Sequence, residues 1–84
     1  MKFEGVVEYG PVGWVWAVAV DDTFIDSGDC RGQFHGIERV LSWLRSGGFI
    51  PAAMTALDVV ELTYEHQDDD AGGHTLARIT PKAV

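Results

Sequence analysis

One cysteine, Cys30, is present, so no disulfide can form within the chain. A lone cysteine in a small domain fits a reducing compartment better than secretion, and the expected localisation is cytoplasmic. Long apolar runs are also missing. The longest extends only from Trp14 to Val20, far short of the roughly 20 residues of a membrane span. The opening Met1-Lys2-Phe3-Glu4 brings in an acid early and has no signal-peptide pattern. Neither secretion nor membrane insertion is expected. Positive charge is scarce: six Lys and Arg stand against thirteen Asp and Glu, for a formal charge of −7. Phosphate binding requires Lys and Arg, so nucleic acid is not expected as a direct partner. There is no G-x-G-x-x-G, no phosphate loop and no paired-cysteine zinc site. No cofactor is expected.

What remains is a chain of 84 residues, read as one domain over 1–84. A domain of this size buries only about 60–65% of its unfolded surface, which limits its net stability to roughly 3–8 kcal/mol. The acidic balance suits a protein partner with a basic surface, such as a nucleic-acid-binding protein, a nuclease or a basic toxin. The competing reading is that the charge only keeps a small domain soluble.

Lys2 to Tyr9 alternates with period two: Phe3, Val7 and Tyr9 on one face, Lys2, Glu4 and Glu8 on the other. Gly10-Pro11-Val12-Gly13 reads as a turn. Trp14 to Val20 reads as a central strand, with Trp14, Trp16, Val18 and Val20 on one face. The small Ala17 and Ala19 lie with Val15 on the other, which is where a helix is expected to pack. Asp21-Asp22 closes a second hairpin, Thr23 to Asp26 forms a short third strand, and Ser27 to Gly32 forms a loop. Over Gln33 to Arg45, Ile37, Val40, Leu41 and Leu44 recur at helical spacing, Phe34 extends the stripe, and Gly47-Gly48 stops it. Gly36 is unfavourable in the first turn. Pro51 to Leu57 suggests a short second helix with Ile50, Met54 and Leu57 facing inwards. Val59 to Gln67 and His74 to Thr80 are two further strands. The expected fold is α+β: an antiparallel sheet of four to five strands, in the order βββ-α-(α)-ββ, packed on one main helix.

Glu4 and Glu8 are four residues apart on one strand, as are Glu61 and Glu65 on another, about 13 Å in each case. With Asp68, Asp69 and Asp70 at a turn, they form the expected partner-binding set, an acidic face suited to a basic groove. The alternative is a solvated sheet face with ordinary Asp-rich turns. Trp43, at the edge of the apolar helical stripe, is the expected aromatic anchor. His66, Asp68, Asp69, Asp70 and His74 have metal-ligand chemistry, but their spacing matches neither an H-E-x-x-H helix nor a calcium loop, and no metal site is expected. Cys30 and His35 would need a third group and an oxyanion hole to act as a nucleophile pair. No catalytic residues are assigned, and the chain is read as a non-enzyme.

The stretch Met1 to Leu44 resembles HicB-like antitoxin domains in its order of elements: two strands over Lys2–Val20, then Ser27-Gly28-Asp29, then the helix of Ile37 to Leu44. The resemblance covers half the chain and is one of topology; the residues after Gly48 do not extend it. In size and charge the chain is similar to small acidic phage and mobile-element proteins, among them anti-CRISPR and toxin-immunity proteins. That similarity implies a compact, non-enzymatic inhibitor that occludes a partner's site. The alternative is a HicB-like antitoxin or an interaction domain that forms a homodimer.

Overall fold

Period-two alternation builds five strands, and one run of helical periodicity interrupts them. The structure, a computed structural model, describes residues 2–10, 12–51, 53–67 and 74–82, leaving aside the side chains of residues 66–67 and 74–75. The elements are β1 Phe3–Gly10, β2 Gly13–Val20, β3 Thr23–Asp29, α1 Gln33–Ser46, the one-turn α2 Ala56–Val59, β4 Val60–Gln67 and β5 His74–Pro81. The sheet order is β3-β2-β1-β5-β4, with every neighbouring pair antiparallel. The expected α+β class, the five-stranded sheet and the single main helix are therefore all present.

Local chemistry places the turns. Asp21 and Asp22 both take left-handed backbone angles, φ 50° and 68°, as the central pair of a two-residue hairpin does when it follows the strand twist. The backbone N–H of Asp21 donates to the Lys2 carbonyl at 2.7 Å. At the end of α1, Gly48 adopts φ 83°. The Phe49 N–H then donates to the Leu44 carbonyl at 2.9 Å and the Gly48 N–H to the Arg45 carbonyl at 3.2 Å. This pair of bonds is a Schellman closure. It turns Phe49 back onto the core, edge-on to Phe3 and stacked on Trp43, both at 5.8 Å.

The core lies between α1 and one face of the sheet. Phe3, Val7, Val18, Val60, Ala77 and Ile79 meet Ile37, Val40 and Leu44 of the helix, and Ile50 and Ala56 join the same cluster. Close approach comes from two glycines. A Cβ on Gly5 would overlap Val40 Cγ1, and one on Gly36 would overlap Val7 Cγ1. Gly36 thus offsets its low helix propensity by letting the helix settle on β1.

Four expectations need correction. The helix covers the Trp16/Val18 face of β2 and not the Ala17/Ala19 face, because the close approach is made at Gly5 and Gly36. The third strand runs on through Ser27, Gly28 and Asp29, which pair with Ala17, Trp16 and Val15 and are not a loop. Phe34 is 77% exposed and does not extend the buried stripe, which runs through Gly36, Ile37, Val40 and Leu44. Of Ile50, Met54 and Leu57, only Ile50 faces inwards; Met54 and Leu57 are exposed, and the second helix is the single turn Ala56–Val59, which overlaps the expected Pro51–Leu57 only at its end.

Candidate functional site

The face of the sheet opposite α1 carries no layer of its own among the described residues. Its composition follows from strand registers. Glu4 pairs with Ala19, Val6 with Ala17 and Arg78, and Glu8 with Val15 and Leu76. Arg78 pairs in turn with Thr63, and Leu76 with Glu65. Glu61 is next in phase on β4. Glu4, Glu8, Glu61 and Glu65 thus share this one open face, across β1 and β4, with β5 between them. Glu61 and Glu65 are exposed; Glu4 and Glu8 are half-buried.

The charge is not uniform across it. Arg78 sits between the two acidic strands, its Nε 3.1 Å from Glu4 Oε1, in ion-pair range but without hydrogen-bond alignment. Glu8 is engaged within the fold as well. Towards the other edge the face becomes apolar. A bulge at Val18/Ala19 leaves Ile25 unpaired, so that Phe24 falls opposite Ala19. Phe24 is 76% and Ile25 53% exposed. Together with Ala17, Asp26 and Ser27 they line an open hollow of about 510 Å³. A smaller concavity of about 120 Å³ adjoins it, lined by Val6, Glu8, Val15, Trp16, Ala17 and Phe24. Both are shallow, and the smaller has room for one aliphatic side chain and not for a drug-sized molecule, which takes about 300–1,000 Å³. The sequence signal that could have located them is Phe24-Ile25, two large apolar residues side by side in a short strand, where simple alternation puts them on opposite faces.

Trp43 lies on the other side of the sheet. It is half-buried and stacked on Phe49, and its indole Nε1 donates to Asp26 Oδ2 at 3.1 Å. The structure therefore brings the four strand glutamates together and leaves Trp43 apart from them. Trp43 borders a separate hollow of about 280 Å³ with Asp26, Arg39, Ser42 and Ser46. Asp68, Asp69 and Asp70 lie outside the described residues.

Cys30 and His35 flank the start of α1. The His35 Nδ1 accepts a hydrogen bond from the Arg31 backbone N–H at 3.0 Å. Burial pushes the Cys30 thiol above its ordinary pKa, with the Asp29 charge adding to the shift; a backbone hydrogen bond at Gly32 pulls it the other way. A thiol shifted upwards is less nucleophilic at neutral pH, the reverse of an activated cysteine. Among the described residues no three His, Cys, Asp or Glu side chains gather as a metal site would require. No helix among them is long and apolar enough to cross a membrane.

Comparison of the chain with protein-family models, with curated proteins and with solved structures gives no match.

Proposed function

We propose that this chain is a non-enzymatic protein that binds and blocks a basic, nucleic-acid-handling protein, in the manner of anti-CRISPR and toxin-immunity proteins. The observation that carries this reading is the gathering of Glu4, Glu8, Glu61 and Glu65 on the one sheet face that α1 leaves uncovered. A face of that sign, on a chain of net charge −7, steers a basic partner and speeds its approach. Arg78 and the half-burial of Glu4 and Glu8 concentrate the steering on Glu61 and Glu65. The test is capture of partners from the host lysate at low and at moderate salt, with the wild type and with the double variant Glu61→Lys/Glu65→Lys. A stoichiometric basic partner, weakened by salt and lost with the double variant, is the expected result. A partner held equally by both proteins overturns the acidic-face reading.

A second reading, a homo-oligomerising domain of HicB-like kind, is favoured by β3. This edge strand is exposed at every residue except Gly28. An unpaired edge with exposed Phe24 and Ile25 is a template for pairing with another strand. Light scattering over a concentration series separates the readings: a strict monomer removes the second.

A further inference from the structure

The apolar half of the open face deepens the reading just given, and rests on it. Along β2 the residues turned to this face are Val15, Ala17 and Ala19, with Val6 beside Ala17 on β1. They make a flat floor of small side chains. Phe24 and Ile25 rise along the β3 side, and the 120 Å³ concavity opens between Phe24 and Val6. The floor is bordered by acids: Glu8 and Asp29 pair with Val15 from either side, and Glu4 pairs with Ala19. Within the strands, Arg78 is the one Lys or Arg on this face among the described residues, and it already faces Glu4.

Val15 to Ala19 spans four strand steps, about 13 Å. That length matches two to three helical turns at about 5.4 Å each. An α-helix laid along β2 would set apolar side chains at i, i+3 or i+4, and i+7 on the floor. One of them would enter the concavity against Phe24. Small floor residues permit a close helix-to-sheet approach, as Gly5 and Gly36 do for α1 on the opposite face. The flank of such a helix on the β3 side would meet the Asp29 carboxylate, on a chain of net charge −7, so it would carry Lys or Arg. We infer that the strip along β2 seats a basic amphipathic helix of the partner, which completes a second helical layer over the sheet.

The probe is a model peptide of about 18 residues, with Leu at i, i+3, i+4 and i+7 and Lys on the remaining faces. The control has the same composition with the leucines scattered. Amide chemical shifts map each site, and titration gives the affinities. The amphipathic peptide is expected to bind at least about tenfold more tightly than the control, a difference that exceeds what equal charge allows. Its shifts should centre on Val6, Val15, Ala17 and Ala19. Phe24→Ala, at an exposed position, and Ala17→Lys should each weaken it at least about tenfold, with the thermal midpoint reporting that each variant is folded. Equal affinity for both peptides overturns the inference. So do shifts centred on the α1 side of the sheet, or on the strip without peptide as concentration rises, which would assign the strip to a second copy. The two readings fail separately. Loss of the lysate partner with Glu61→Lys/Glu65→Lys, together with no preference between the peptides, removes the helix seat alone. A clear preference with no basic partner captured removes the inhibitor reading and keeps the seat.

Discussion

Alternate residues of the same strands build two unlike faces. On the covered face, Val7, Val18, Ala77 and Ile79 are fully buried and meet Val40 and Leu44 of α1, which are fully buried too. On the open face the strand positions in between hold Val6, Val15, Ala17 and Ala19, all half-buried, beside glutamates and an arginine. The first face has the close packing of an interior, where a lost methylene leaves a cavity. The second sets apolar side chains next to charged ones, with Val15, Ala17 and Ala19 in line along β2. One face sets stability, and the other is free to be shaped by what it meets.

The contrast can be broken by mutation. Leu44→Ala should cost about 2–5 kcal/mol through transfer and cavity terms, read as a drop in the thermal or denaturant midpoint. The matching truncation on the open face, Val15→Ala, should cost less than about 1 kcal/mol because water already reaches it. Equal costs would mean that the two faces are equally structural. Gly5→Ala places a methyl into Val40, and overpacking of this kind costs about 1–3 kcal/mol. Trp43→Phe keeps the ring on Phe49 but loses the hydrogen bond to Asp26, about 0.5–1.5 kcal/mol. Glu61→Lys and Glu65→Lys should each stay within about 0.5 kcal/mol, so any effect they have on partner capture is not an effect on folding.

The smallest expected effect is alkaline. Because burial raises the Cys30 pKa in the folded state, the folded thiol holds its proton more tightly than the unfolded one. Unfolding therefore releases protons at alkaline pH, and stability falls as pH climbs through the ordinary thiol value of about 8.5. Below that range the cysteine contributes no slope. Denaturant midpoints at neutral and at alkaline pH, compared with those of Cys30→Ser, should show the slope in the wild type alone.

Much of this architecture was legible in the residues. Period-two alternation in Lys2–Tyr9 and Val59–Gln67 located two strands, and Ile37, Val40 and Leu44 located the helix. The side on which that helix lands was not legible. Ala17 and Ala19 advertise close approach, but the approach is made by Gly5, whose missing side chain admits Val40, and that needs the helix position to be known. The full length of β3 was hidden as well, since Ser27-Gly28-Asp29 has the composition of a turn and is held in the sheet by pairing with Trp16 and its neighbours. The glutamates were easier: their phase within each strand follows from spacing. That β1 and β4 present them to the same side depends on the register through Arg78, which no local pattern encodes. Trp43 at the border of the helical stripe is legible as a residue half in the core, and its stacking on Phe49 arises from the Schellman turn five residues on.

The position of β5 between β1 and β4 has a consequence for how the domain is made. Gly5 pairs with Ile79 and Tyr9 with Thr75, so the middle of the sheet joins segments separated by nearly the whole sequence. Pairings of such long range slow folding, because loop closure comes before the contacts that compensate for it. During synthesis the hairpins of β1, β2 and β3 emerge early, but the inner edge of β1 stays open until β5 has left the ribosome. For that interval β1 is an open edge as β3 is, and like charge on Glu4, Glu8, Asp26 and Asp29 of these two strands disfavours edge-to-edge pairing of neighbouring copies.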